Sequence, residues 1–344
     1  MKFPFPPLRP VAAVVVAGCL LGRIDPAAGA TFELKVASVA PAGTSFNKNL
    51  EDLGAQCAQA PGGGVVFNIF PGTQGGEPTI VRRMRGNALQ GAMLTGVGLS
   101  QIDESVTALQ LMPMAFQSWA EMDFVRTRLE PRLEKIFLEK NYIILFWGDA
   151  GWVRVFSTEP VQSLADLKSR RVFASSGMPK ALEMLTAYYT PVEMEPDKIL
   201  LSLRNGMINV VPIPAFLANF SQVATKARYM LDMKWVPVVG AMVVTKAAWD
   251  KLPPATQTYV RETSRKAGEK IRADSRREDD EAIQAMVQKQ GLKVTSLSPE
   301  ADKAWRDEMD RISPRIRGNI VPADVYDTVQ AALQEFRAQQ QPPK

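Results

Sequence analysis

Short apolar runs alternate with amphipathic stretches along most of the chain. "FELKVASVA" (32–40) predicts a first strand that ends at Pro41 and Gly43. A helix follows, with Phe46, Leu50, Leu53 and Cys57 at helical spacing on one face. "VVFNIFP" (65–71) predicts a second strand, and "PTIVRRMRGNAL" (78–89) a helix with proline in its first turn. "GAMLTGVG" (91–98) is short, apolar and glycine-flanked, as a buried parallel strand is. "ALQLMPMAF" (108–116) and "IILFWGDA" (143–150) read as further strands, with a charged helix over 120–140 between them. The second half repeats the style. "WVRVFST" (152–158), "RRVFAS" (170–175), "MINVVPI" (207–213) and "VPVVGAMVVTK" (236–246) predict strands, with helices at 178–189 and 196–205. This alternation calls for an α/β fold with a parallel or mixed sheet, arranged as two lobes that the chain crosses more than once.

Residues 254–290 break the rhythm. They form one long helix-favouring segment in which Tyr259, Thr263, Ala267 and Ile271 step by four along one face. Its middle, "RADSRREDDE" (272–281), is polar on every side. Arg276 with Asp280 and Arg277 with Glu281 stand at the spacing that pairs along a helix. A helix polar all round in mid-length either bridges two bodies or is a solvated surface helix.

Composition removes several classes of function. The 344 residues are 46% hydrophobic and 22% charged, an ordinary globular balance. There is no histidine, which excludes histidine-based triads, acid–base work and metal ligation. Cys19 and Cys57 are the only cysteines, too few for a zinc site or a disulfide framework. The net charge of +5 is mild, and no basic block interleaved with aromatics points to nucleic acid. The N-terminus reads as an export signal, with Lys2 and Arg9 before the apolar run "VAAVVVAGCLLG" (11–22), and "AGA" (28–30) marking a cut after Ala30. "VAGC" (16–19) has lipobox form and offers the rival route, a lipid anchor on Cys19. Both routes place residues 31 onward outside the cytoplasmic membrane.

The candidate chemistry is sparse. "GTQGGEPTIV" (72–81) is a glycine-rich loop before a helix that lacks the lysine of a phosphate loop, so it is a ligand-lining loop through Gln74 or a plain turn. "RRMR" (82–85) and "RREDDE" (276–281) read as solvated helix faces, and no nucleophile elbow is present, so no enzyme activity, cofactor or metal is expected. "FWGDAGWVRVFS" (146–157) packs Trp147, Asp149, Trp152 and Arg154 around two glycines. The tryptophans offer flat apolar area and Arg154 a fork for a carboxylate. The alternative is that both tryptophans are core and Arg154 pairs with Asp149.

The export signal, "APAGTSF", "PGTQGGE", "ESVTALQLMPMAF", "SLADLKSRRVFA", "LRNGMINVVPIP" and "WDKLP" before a long helix fall in one order over residues 32–335. That order resembles the extracytoplasmic solute-binding proteins of tripartite ATP-independent periplasmic (TRAP) transporters, the DctP-type family. The resemblance implies two α/β lobes joined by crossing strands, a lobe-spanning helix, and a ligand cleft that closes by hinge motion. It also implies delivery of the ligand to a permease of one small and one large membrane subunit, without catalysis. The expected division is a signal over 1–30, a first lobe from 31–152 and 238–275, a second from 153–237 and 276–335, and a flexible tail over 336–344.

The departures from the family pattern matter as much. The family runs Asp-Leu-Lys-Gly, two further residues, an aliphatic residue and then an arginine that grips a ligand carboxylate. Here Asp166, Leu167 and Lys168 match, Ser169 replaces the glycine, and the arginine place holds Phe173. A later polar stretch of the family is replaced by Gly206 to Pro214, with Pro212 and Ile213 where ligand-facing polar groups stand. A buried carboxylate needs a cation and donors. Phe173, Pro212 and Ile213 supply apolar wall instead, and Phe116 and Phe216 are assigned to the same wall. These substitutions and "WGDAGW" resemble a TRAP subgroup whose transporters carry an additional TPR-repeat protein and handle hydrophobic ligands. Arg154 falls near a second arginine that some members use. It remains to meet the polar head of an amphipathic acid or, in the alternative reading, to hold a small organic acid.

Overall fold

A computed structural model describes residues 31–340; the export signal and the Cys19 lipobox lie outside the described residues. In chain order the elements begin with β1 (Phe32–Ser38), α1 (Ser45–Cys57), β2 (Val65–Pro71), α2 (Glu77–Arg85), β3 (Gly91–Thr95) and α3 (Gly96–Ser100). Next come α4 (Trp119–Glu139), β4 (Tyr142–Ser157), α5 (Leu164–Leu167), β5 (Arg171–Ala174), α6 (Pro179–Leu185), β6 (Thr190–Glu193) and α7 (Ile199–Arg204). They are followed by β7 (Val210–Pro214), α8 (Ala215–Phe220), β8 (Tyr229–Leu231), β9 (Pro237–Thr245), α9 (Lys246–Trp249) and α10 (Pro254–Gln290). The chain closes with β10 (Lys293–Thr295), α11 (Pro299–Ile316) and α12 (Ala323–Gln340).

The strands form one mixed path, β2-β1-β3-β9-β4-β7-β5-β6, with β8 and β10 attached beside β4. β4 is the hinge of this arrangement. Its first part pairs antiparallel with β9 from Tyr142 to Trp152, and its last part pairs with β7 and β8 from Val153 to Ser157. The two strands expected at 143–150 and 152–158 are therefore one, kinked rather than broken at Gly151. The register between β4 and β9 slips between Asp149 and Trp152, and Gly151 takes φ +92°, which a side chain would strain.

Alternation along the strands feeds different cores. Val239, Ala241 and Val243 of β9 face one cluster with α2, α4 and α12. Met242 and Val244 face the other, against α1 and α10. A third cluster around Phe156, Val211 and Ile213 holds the second lobe together. Cys57 lies in the core with no exposed surface, and burial pushes its thiol up to about 12. Iodoacetamide is thus expected to leave Cys57 unmodified in the native protein and to alkylate it only in denaturant, as read by peptide mass mapping.

Three expectations are corrected. Residues 108–116 are not a strand. A 3₁₀ turn over Glu104–Leu109 occupies the start, capped by Asp103 accepting from the Ser105 amide, and Pro113 and the left-handed Met114 follow. The run's apolar residues are used in alternation, with Ala108, Leu109, Met112, Met114 and Phe116 in the core and Leu111, Pro113 and Ala115 half-buried. The tail does not begin at 336. Phe336 packs edge-on against Phe124, and Arg337 pairs with Glu121, so α12 continues to Gln340 against α4. α12, grouped by sequence with the second lobe, thus packs on the first. The long helix α10 keeps its expected span, but its buried stripe runs Val260, Ser264, Gly268, Ile271, Ser275, Asp279, Ala282, Met286. Tyr259 and Ala267 sit only half-buried. The stripe is built of small residues because the helix lies directly on β4: a Cβ on Gly268 would stand 2.6 Å from that of Phe146.

Candidate functional site

The carboxyl ends of β1, β3, β5 and β7 converge on one cleft between the lobes, the place where an open α/β sheet leaves room for a ligand. The cavity there measures about 350 Å³. The first lobe contributes Val39–Pro41, Phe46 and Met93–Thr95, and the crossing strands Gly148–Ala150, Val153, Val238 and Ala241. The second lobe contributes Phe173–Ser175, Met178, Leu182, Pro212–Pro214 and Phe216. The lobes touch across its mouth. The rings of Phe46 and Phe216 stand 5.1 Å apart, Gln101 Nε2 donates to the Gly177 carbonyl at 2.9 Å, and Lys180 pairs with Glu104 at 3.0 Å.

Among the described residues, no lysine or arginine lines this cavity. Its two charged residues are both acidic and both occupied. Glu77 accepts from the Thr95 hydroxyl at 2.6 Å and from the amides of Thr95 and Gly98 at 2.8 and 2.9 Å. Burial raises its carboxyl above the ordinary range against those donors. The Asp149 side chain has no exposed surface and receives Arg126 at 2.6 Å and Arg276 at 2.5 Å.

Two charge networks fasten α10 to β4 beneath the cleft. In the first, Asp149 of β4 is shared by Arg126 of α4 and Arg276 of α10, and both arginines also reach Asp123. Burial works against the Asp123 charge, but Arg276 and then Arg126 outweigh it and hold its carboxyl below the usual range. The Arg276 guanidinium also lies 4.6 Å over the Trp119 ring, so its expected partner Asp280 is not the one it takes. The expected Arg277–Glu281 pair forms at 3.5 Å.

In the second network, Arg154 donates to Asp279 at 2.6 Å and to Asp232 at 3.1 Å. Asp279 also accepts from the amides of Trp152 at 3.2 Å and Phe216 at 3.1 Å. Its carboxylate fills the space over Gly151, where a Cβ would stand 2.5 Å away. Burial opposes the Arg154 charge, yet Asp279 and Asp232 together raise its pKa above the ordinary arginine value.

Of the ten residues singled out in the sequence, Phe173, Pro212, Ile213, Phe216 and Asp149 come together on the cavity wall, the last with its carboxylate turned to arginines. The other five do not line it. Arg154 is drawn away by Asp279 and Asp232. Trp152 is buried against Trp119 at 4.7 Å, and Trp147 is buried with its carbonyl accepting from Arg272. Phe116 is sealed in the core, and Gln74 bonds only to its neighbour Thr73 in the loop before α2. The core reading of both tryptophans therefore describes them, although Arg154 does not pair with Asp149. Sequence reasoning missed Asp279, Asp123 and Arg126 as organisers of the junction. Asp279 and Arg276 stand within "RREDDE", whose composition reads as a solvated face.

Comparison with known proteins agrees with this architecture. A solute-binding protein of Albidiferax ferrireducens is 23% identical over 296 residues, 80% of this chain and 84% of that one. A TRAP periplasmic solute-binding protein of Chromohalobacter salexigens, solved with bound D-glucuronate, superposes with a TM-score of 0.78 at 19% identity, over 89% of this chain and 100% of that one. An extracytoplasmic solute receptor of Bordetella pertussis that binds pyroglutamic acid gives 0.80 at 16% identity, over 88% and 100%. A protein of Desulfovibrio salexigens with bound orotic acid gives 0.80 at 16%, over 90% and 99%. Residues 36–317 match the DctP family, described as bacterial extracellular solute-binding protein, family 7. With that match over most of its length and a cleft between two α/β lobes, the chain belongs to this family of solute-binding, non-catalytic transport proteins.

Proposed function

We propose that the protein captures a hydrophobic or amphipathic small molecule by closure of its two lobes and delivers it to a TRAP permease of one small and one large membrane subunit. The observation that carries this reading is the cation-free cavity, with Phe173 in its wall and Arg154 committed to Asp279 and Asp232. A ligand carboxylate entering there finds no guanidinium and two acidic neighbours. An apolar surface gains roughly 25 cal/mol for each Å² withdrawn from water. Residues 1–30 direct export to the periplasm, with cleavage after Ala30 or lipid attachment at Cys19 as the two routes. A periplasmic TPR-repeat protein is a further partner of this reading.

A second reading is a receptor for a small organic acid. It is favoured by the structural neighbours, whose bound ligands include D-glucuronate, pyroglutamic acid and orotic acid. It requires Arg154 to leave Asp279 and enter the cleft. Native mass spectrometry of protein purified without detergent separates the two. The first reading expects a co-purified apolar mass and no thermal stabilisation by those three acids. A clean unliganded mass, with stabilisation of about 2.7 kcal/mol when an acid is present at a hundred times its Kd, establishes the second instead.

A further inference from the structure

Behind the second-lobe wall of the cleft lies another apolar space, of about 60 Å³. Leu185, Tyr189, Pro212 and Trp235 line both this chamber and the main cavity, so they form the partition between the two. Val172 of β5 lies on its inner side, and α11 covers it with Trp305, whose ring meets that of Trp235 edge-on at 5.7 Å. Tyr189 brings a hydroxyl and Trp235 an indole N–H to the partition, and burial raises the tyrosine pKa above its ordinary value. An apolar space that shares four of its lining residues with the ligand cleft adjoins that cleft directly.

We propose that the cleft is forked, and that the chamber behind Leu185, Tyr189, Pro212 and Trp235 receives the end of an alkyl chain, so that the preferred ligands are chain-bearing amphiphiles rather than compact ring compounds. The inference rests on the apolar reading above and narrows it. The volume sets the choice. A dry apolar cavity of about 150 Å³ takes a benzene ring, and one water-sized group needs about 15 Å³. At about 25 Å³ for each of the six ring carbons on that scale, a chamber of 60 Å³ is too small for a ring and holds about two methylene-sized groups.

The test uses 1-alkanols from hexanol to dodecanol in isothermal titration calorimetry, with the unmodified protein and with Val172→Phe and Leu164→Phe, which narrow the chamber without touching the main cavity. Each methylene is expected to tighten binding about four-fold, from ~0.8 kcal/mol per group, until the chamber is full. In the variants hexanol binds as before. The gain stops sooner, and the longest alkanols bind at least about ten-fold more weakly than to the unmodified protein. Leu164 is half-buried, so Leu164→Phe carries the test if Val172→Phe fails to fold. Identical chain-length profiles in all three proteins overturn the fork and leave the apolar reading standing. Absence of any alkanol binding, with binding of organic acids, overturns both.

Discussion

Asp279→Ala is expected to destabilise the protein by about 3 kcal/mol, seen as a lower urea midpoint with an unchanged slope. Asp279 is one of the few fully buried carboxylates, and three donors converge on it: the Arg154 guanidinium and the amides of Trp152 and Phe216. Removing it leaves the Trp152 and Phe216 N–H groups without acceptors and a buried arginine with only the half-exposed Asp232 and the exposed Asp280, 3.6 Å away. The residual pairing with Asp232 keeps the loss at the lower end of what breaking a buried ion pair costs. The double substitution Arg154→Met with Asp279→Ala is expected to recover part of it, because no unpaired charge then remains. Arg277→Ala on the exposed side of the same helix should cost no more than ~0.5 kcal/mol. Equal losses for Asp279→Ala and Arg277→Ala would show that the α10–β4 junction does not depend on this carboxylate.

The same junction shows what the sequence carries and what it hides. Strands β1, β2, β5, β7 and β9 and helices α1, α4 and α10 follow from local apolar periodicity, because each buries one face or lies inside a sheet and says so within its own residues. Phe173, Pro212 and Ile213 were legible as cavity wall through a resemblance, since they stand where polar groups are the family pattern. The buried stripe of α10 was not legible. Its members are Ser264, Gly268 and Ser275 as much as Ile271, chosen for size where the helix touches Phe146, and hydrophobicity does not register size. Asp279 and Arg276 were hidden for another reason. A charged residue reads as solvated unless its partner is known, and their partners Arg154, Asp149 and Asp123 lie more than a hundred residues away in the chain. Arg154 was misplaced for the same reason. Its neighbours in sequence offered Asp149, but the slip in register at Gly151 places Asp149 toward Arg126 and Arg276, while Arg154 meets Asp279.

Phe173→Arg is expected to weaken binding of apolar ligands about a hundred-fold or more and to create binding of organic acids. Phe173 is the next-to-last residue of β5 and lies buried in the cavity wall that Pro212 and Ile213 also line. At 5% exposure the ring leaves little area for a ligand to cover, so its own transfer gain is a small part of the effect. The larger part is the guanidinium put in its place, which an apolar ligand must desolvate without offering a partner, a cost above the ~2.8 kcal/mol of a hundred-fold change. Phe173→Leu removes only part of the area and should cost less than about ten-fold. The gain of function is the sharper half of the prediction. Arg154 is held by Asp279 and Asp232 and no lysine or arginine among the described residues lines the cavity, so the introduced cation would be the first of them able to meet a carboxylate there. Titration with D-glucuronate, pyroglutamate and orotate measures it directly. Acid binding that appears only in Phe173→Arg means that ligand class is decided at this one position of the wall. Apolar binding that survives the change unaltered means that the ligand lies elsewhere in the cleft, and the register placing Phe173 against it is wrong.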